Sequence, residues 1–109
     1  MATTFRTKIV KDVGTQKIEA FETAPGTNAT IIGMNLANTS TFSVQASILI
    51  RDDTSVEAFY VKDVMIPPQS AFKAMIGGEK IILTTGYSIL VQSDITDSVD
   101  VIISYVDIT

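Results

Sequence analysis

Apolar and polar residues alternate with a period of two along much of this chain, most clearly at residues 31–51, IIGMNLANTSTFSVQASILIR. Such a period places alternate side chains on opposite faces of a β-strand. The stretch holds two alternating runs around the polar connector 37–41, which lacks the Asn-Gly pair of a two-residue hairpin. We therefore predict a central β-hairpin whose loop has about four or five residues.

The alternation also assigns one register of this hairpin to the core. Its inner face, within one sheet, should consist of Ile32, Met34, Leu36, Val44, Ala46, Ile48 and Ile50. The last alternating run, residues 99–105, is the expected partner across the core. The opposite register, which includes Ile31 and Leu49, is apolar enough to accept a neighbouring protein.

Shorter alternating runs recur elsewhere, separated by turn residues about every ten positions. Pro67-Pro68 ends one of them, since neither residue can donate a ladder hydrogen bond, and Lys62-Asp63 interrupts the same run, which indicates a bulge or a switch of sheet. The spacing predicts an all-β fold: an antiparallel β-sandwich, jelly-roll or Ig-like, of about eight short strands with essentially no helix.

The length of 109 residues fits a single domain covering residues 1–109. Residues 1–13 carry Phe5 and the basic residues Arg6, Lys8 and Lys11. They should form either an edge strand, which charges protect from unwanted pairing, or an N-terminal arm on a neighbouring subunit. Charged residues make up only 18% of the chain and hydrophobic residues 46%, so the excess of apolar residues should lie either in a well-formed sandwich core or on a surface that covers a partner.

Composition limits the chemistry. The chain has no His and no Cys, which excludes imidazole bases, thiol nucleophiles and the metal sites built from these residues. A net charge of −4 disfavours nonspecific binding to nucleic acid, and no apolar run approaches the roughly 20 residues of a membrane helix. We expect a protein that is not an enzyme, needs no cofactor, binds neither nucleic acid nor a membrane, and has no secretory signal.

Several motifs have a chemical interpretation and a structural one. Asp52-Asp53 is a carboxylate pair, but adjacent residues on a strand point to opposite faces and turn residues are solvated. The loop residues Asp94, Asp97 and Asp100 are the metal-ligand candidates, for Ca²⁺, although they do not follow the EF-hand pattern. The stretch 77–80, GGEK, lacks the Walker spacing and is better explained as a turn. Dispersed Phe and Tyr residues favour core packing over a stacking platform.

A set of segments in fixed order runs nearly the whole length of the chain. They are DVGT at 12–15, TAPGT at 23–27, IIGMNLANT at 31–39, YVKDVMIP at 60–67, GG at 77–78 and SVDVIISYVDIT at 98–109. In this order the chain resembles small virion structural proteins of tailed bacteriophages, especially those of cyanobacteria. It departs from them at 67–70, PPQS, where a second Pro stiffens the turn, and at 86–88, GYS, where an acidic residue usually follows the Gly.

The resemblance implies a β-sandwich that assembles with other virion proteins and performs no chemistry. We expect a capsid decoration or cement protein, made in the host cytoplasm, that binds the major capsid protein shell and is a homo-oligomer, a trimer or ring, in the particle. Candidate interface residues are Phe5, Arg6, Lys8, Lys11, Ile31, Leu49, Pro67 and Pro68. Two alternatives stay open: a ring component of a neck, tail or baseplate, and a module that binds carbohydrate or a host receptor.

Overall fold

The computed structural model describes residues 2–75 and 80–109, and these ranges contain no helix. They form two antiparallel sheets that pack face to face. The nine strands of the described ranges are β1 (Thr3–Val13), β2 (Ile18–Glu22), β3 (Asn28–Asn38), β4 (Val44–Arg51), β5 (Glu57–Ile66), β6 (Ala71–Lys73), β7 (Ile81–Leu83), β8 (Ser88–Ser93) and β9 (Val99–Ile108). The predicted all-β sandwich is confirmed.

The strand order identifies the type of sandwich. One sheet has five strands in the order β1-β9-β3-β6, with β7 also paired to β3, and the other has four in the order β2-β8-β4-β5. β6 and β7 pair with successive stretches of β3. When these two count as one interrupted strand, the eight strands follow the order of a jelly roll with two Greek keys.

The core lies between the two sheets, because each strand turns alternate side chains inward. Fully buried aliphatic residues come from both sheets, including Leu36 and Ile103 from one and Ile48 and Ile89 from the other. Phe21 of β2 and Tyr105 of β9 join the sheets through an edge-on contact, with ring centroids 4.6 Å apart.

The stretch 31–51 is not a hairpin, so that prediction is wrong. β3 belongs to the five-stranded sheet and β4 to the four-stranded sheet, so the connector carries the chain from one sheet to the other. The last strand, β9, pairs directly with β3 and does not lie across the core from it. Alternation could not distinguish a hairpin from this crossover, because both arrangements turn the same apolar positions toward one core.

A bulge in β3 changes which residues face the core. Ile31 pairs with Tyr105 but Gly33 pairs with the next residue, Ser104, so Ile32 is the extra residue of the bulge. As a result Ile31 is fully buried and Ile32 is 44% exposed. The predicted inner position of Ile32 and outer position of Ile31 are therefore both wrong, whereas Met34, beyond the bulge, lies in the core as predicted.

The predicted bulge at Lys62-Asp63 is present in β5. Ala46 pairs with Val64 while Ile48 pairs with Val61, so two residues of β5 lie opposite Ser47. The Asp63 N–H donates to Ser47 Oγ at 2.9 Å, and Asp63 has a positive φ of 51°. This contact gives the buried Ser47 hydroxyl a partner and fixes the position of the extra residue.

The side chain of Asn38, at the end of β3, connects the two sheets where the chain crosses between them. Its Nδ2 lies 2.7 Å from the carbonyl oxygen of Phe42, 3.0 Å from that of Ile66 and 3.1 Å from that of Pro67. Its Oδ1 accepts hydrogen bonds from the N–H and hydroxyl of Ser40 at 2.9 and 2.7 Å. One buried amide thus holds the end of β3, the connector and the end of β5 together.

Replacing Asn38 by Ala should lower the free energy of unfolding by about 2–4 kcal/mol, because main-chain carbonyls at the crossover lose their donor. Urea unfolding followed by circular dichroism measures the change. The matched control is Asn28→Ala, at the exposed other end of β3, which should cost less than about 0.5 kcal/mol. Equal stability of the two variants would contradict the role given to Asn38.

Candidate functional site

Ion pairs cross the outer face of the four-stranded sheet, which also exposes Phe59 and Met65 of β5. Arg51 of β4 lies 2.6 Å from the carboxylate of Glu19 and 3.7 Å from that of Glu57. Lys17, just before β2, lies 2.5 Å from Glu57. These contacts link the two edge strands of the sheet, β2 and β5, across β4. The face carries the solvated charge typical of a free protein surface.

Leu49, a predicted interface residue, lies on this ion-paired face and is only 5% exposed. It pairs with Leu90 of β8 on one side and Phe59 of β5 on the other. The neighbouring side chains therefore cover it, and it is not accessible to a partner. The prediction for Leu49 is wrong because the residues that cover it come from strands far away in the sequence.

The outer face of the five-stranded sheet is apolar. Nine large apolar residues are exposed in the two described ranges, and five of them lie on this side: Phe5, Ile9, Ile32, Ile82 and Ile102. They belong to β1, β3, β7 and β9, which are neighbours in the sheet. We call this surface the apolar face.

Cross-strand pairing arranges the apolar face in three rows. The first row consists of Phe5, Val106, Thr30 and Ile82. The middle row consists of Thr7, Ser104 and Gly33. The third row consists of Ile9, Ile102, Asn35 and Lys73. Two rows that contain large apolar residues therefore flank a row of small side chains, and Ile32, the extra residue of the β3 bulge, lies between the first row and Gly33.

A hollow of about 240 Å³ opens in the apolar face beside Gly33, and its wall includes Met75, Ile102 and Ser104. A Cβ placed on Gly33 would lie 3.7 Å from Ser104 Cβ, an ordinary van der Waals contact. Packing within the chain therefore leaves space at this position. The hollow is large enough to receive an apolar side chain from another protein.

β1 forms one edge of the five-stranded sheet and pairs with β9 from its first residue onward, so it is not a detached arm. Two of its three basic side chains lie near acidic groups of the same chain. Arg6 Nε is 3.1 Å from Asp107 Oδ2, and Lys8 lines a groove with Glu19. Lys11 is exposed. These charges protect the edge, as expected for an edge strand.

The remaining predicted interface residues fall in different places. Phe5 lies on the apolar face and is 75% exposed. Ile31 is fully buried in the core, so its predicted role at an interface is wrong. Pro67 and Pro68 are exposed in the turn after β5, which a hydrogen bond from Ser70 N–H to Pro67 O closes at 3.2 Å.

Sequence reasoning missed four residues of the apolar face: Ile9, Ile32, Ile82 and Ile102. Three of them belong to doubled isoleucines at 31–32, 81–82 and 102–103. Adjacent residues of a strand point to opposite faces, so a doubled isoleucine indicates a strand with apolar contact expected on both sides. All three doublets fall in the five-stranded sheet.

The three carboxylates proposed for Ca²⁺, of which Asp100 lies in β9, bind main-chain groups or are exposed to solvent. Asp94 Oδ1 accepts the Gln45 N–H at 2.8 Å, and Asp100 Oδ1 accepts the Asp12 N–H at 2.9 Å. Asp97, with a φ of 49°, is exposed. Within the described ranges, no three acidic side chains come together as a site that could hold a metal ion.

Two other motifs also give no site. Residues 77–79 of the glycine stretch, like Ile76 before them, lie outside the described residues. Three phenylalanines are exposed in the described ranges: Phe5 and Phe59 lie on the two opposite outer faces, and Phe42 lies in the connector after β3. Lys62 Nζ sits 5.2 Å from the ring centroid of Phe59. The rings of Phe5 and Phe59 therefore do not combine into one stacking platform.

Asp52 organises the turn between β4 and β5. Its Oδ1 accepts hydrogen bonds from Thr54 Oγ1 at 2.8 Å, from Thr54 N–H at 2.9 Å and from Val56 N–H at 3.0 Å. The Thr54 hydroxyl, followed by the Val56 amide, lowers the pKa of Asp52 below its ordinary value of 3.8. A carboxylate that its own turn keeps ionised acts as a structural cap and is poorly suited to general acid catalysis.

No protein-family model, curated protein or solved structure matches this chain. In the part of the chain that the structure describes, no helix has the length and apolar character needed to cross a membrane.

Replacing Asp52 by Ala should destabilise the fold at neutral pH and have progressively less effect as the pH falls below about 3.8. The sign follows from the lowered pKa: the ionised form stabilises the turn, and this contribution disappears as the folded protein takes up a proton. Urea unfolding of the wild type and the variant at pH 7 and at pH 3 measures this contribution to the free energy of unfolding. The control is Asp53→Ala, at the adjacent exposed residue. If the loss of unfolding free energy caused by Asp52→Ala were the same at pH 7 and pH 3, Asp52 would not act as an ionised cap.

Proposed function

We propose that this protein is a non-enzymatic structural component of a protein assembly and that the apolar face holds it there. The contrast between the two outer faces carries this proposal. One face is crossed by the Arg51 and Lys17 ion pairs and exposes two large apolar residues, Phe59 and Met65, whereas the other face exposes five. A face of a small domain on which exposed large apolar residues cluster is typical of a protein-binding surface.

The residues of the apolar face are not needed to close the core. Ile9 and Ile82 are largely exposed, while the inward neighbours of Ile82, Ile81 and Leu83, pack in the core. Folding gains little from an apolar side chain at such a position, because little of its surface leaves water. A partner that covers the face would recover this contribution.

Within this class, we propose a decoration protein of a tailed-phage virion that is made in the host cytoplasm and then binds and stabilises the major capsid protein shell. The resemblance supports this, because two of its segments, 31–39 and 98–109, contain most of β3 and all of β9, the central strands of the apolar face. A shell presents the same site many times, so a modest contact at each site adds up over the particle.

A ring component of a neck, tail or baseplate is the second candidate, and two exposed apolar residues of β5, Phe59 and Met65, favour it. A ring needs two different surfaces on each subunit, and the apolar face with the exposed side of β5 provides two. A fixed small oligomer, a trimer or larger ring, in the purified protein would support this candidate. A module that binds carbohydrate or a host receptor has less support, because Phe5 and Phe59 lie on opposite faces.

Particles assembled without this protein test the proposal directly. Reconstructions of particles with and without it should differ by one density on the capsid surface, and purified protein added back should restore that density. A missing density at the neck or tail would favour the ring component. Particles whose capsid, neck and tail densities are all unchanged would refute a role in the virion.

Ile82→Asp should weaken binding to such particles at least about tenfold, because it places a charge within the apolar face. The control is Met65→Asp on the four-stranded sheet, since the two side chains are similarly exposed, 68% for Ile82 and 62% for Met65. Co-sedimentation of each variant with particles measures the binding. Equal losses for both variants would show that the apolar face is not the binding surface.

A further inference from the structure

We propose that a second copy of this chain covers the apolar face before the protein meets its assembly, so that two copies pack face to face about a two-fold axis. The inference rests on the proposed function, since it takes the apolar face as the assembly surface and names its first occupant. Three properties of the face favour a second copy: its arrangement in rows, the placement of its charges and its area.

The rows make the face complementary to itself. A two-fold axis that runs across the strands through the middle row sets the Phe5 row of one copy over the Ile9 row of the other. The small side chains of Thr7, Ser104 and Gly33 then face their own counterparts and allow close approach at the axis. The hollow beside Gly33 gives room for side chains of the other copy. A two-fold contact requires such self-complementarity, because the same patch of both copies forms the two sides of the interface.

Two charged side chains lie toward one end of the apolar face. Lys73 is in the third row, and Asp100 pairs with Ala37, one row further along. At the other end, Thr3 of β1 and Asn28 of β3 flank Ile108 of β9, and these three side chains are uncharged. The two-fold axis places Lys73 of each copy over the first row of the other and Asp100 over its Ile108, so these two charges do not meet their own counterparts.

Contact between two β1 edges would be less favourable. Antiparallel pairing of β1 with its own copy, centred on Thr7, would set Arg6 opposite Lys8. Like charges directly opposite each other destabilise a strand pair, and lysines on an edge strand are a common protection against such pairing. The face is therefore the better surface for a second copy.

The area is sufficient for a modest dimer. Four strands about 4.8 Å apart, with about eight residues each at about 3.4 Å, cover on the order of 500 Å² per copy. The total of about 1,000 Å² is at the lower limit of specific interfaces. A dimer of this size can dissociate when a larger surface competes for the same face, so self-association and particle binding are mutually exclusive.

Opposite charges introduced at Thr7 in two separate variants test the dimer, because the two-fold axis brings the Thr7 side chains of the two copies together. Sedimentation velocity over a range of concentrations should give twice the chain mass of 11.8 kDa for the wild type. Thr7→Lys and Thr7→Glu should each weaken dimerisation at least about tenfold, and an equimolar mixture of the two should restore it. Thr7 is exposed on an edge strand, so both variants should fold. Thr41→Lys and Thr41→Glu, in the exposed connector, are the controls and should dimerise like the wild type.

A wild type that stays monomeric over the whole range, or Thr7 variants that dimerise as well as it does, would overturn the proposal. The particle assay separates this failure from failure of the proposed function. If the chain is monomeric and Ile82→Asp still loses particle binding, the dimer is refuted and the assembly role stands. If Ile82→Asp loses self-association but binds particles normally, the dimer stands and the assembly role of the face is refuted.

Discussion

The amide of Asn38 holds the place where the chain leaves one sheet and enters the other, and the rest of the sandwich depends on this crossing. Strand ends leave main-chain carbonyls without partners, and burying them unpaired is costly. The carbonyls of Phe42, Ile66 and Pro67 meet this one side chain. Because the crossing is fixed there, β3 and β4 contribute to opposite sheets, and β9 and β8 become their respective neighbours.

Alternation and turn residues were sufficient to predict an all-β sandwich, because both reflect local backbone chemistry. They could not assign strands to sheets. A run that ends in Asn-Thr-Ser-Thr can continue into a hairpin or cross to the opposite sheet. Two of the carbonyls that Asn38 binds, those of Ile66 at the end of β5 and of Pro67 after it, lie far along the chain. Bulges were predictable only in part. Lys62-Asp63 interrupts an apolar run visibly, whereas the bulge at Ile32 lies inside one, where nothing local shows which isoleucine faces inward.

The same limit explains why the residues of the apolar face were only partly predictable. Leu49 and Ile102 both lie on outer faces, in runs that are apolar on both registers. The residues beside them make the difference: Leu49 is flanked by Leu90 and Phe59 on an ion-paired face, whereas Ile102 is flanked by Ile9 and Asn35. A doubled isoleucine therefore predicts apolar surface on both sides of a strand, but only the pairing shows whether the chain covers that surface itself.

The position of the exposed isoleucines is itself an argument that they serve a contact outside the fold. Edge strands are where natural sheets place lysine, proline or short polar segments to prevent association. β1 follows this rule at Lys8 and Lys11, whose charges border its free edge, yet it carries Ile9 between them, aimed away from the core at the apolar face. Thr at this position would complete the strand equally well, since the side chain of Ile9 gains little from folding. The chain thus protects its edge strand against pairing while it keeps one broad face apolar, and both features are what the proposed assembly role requires.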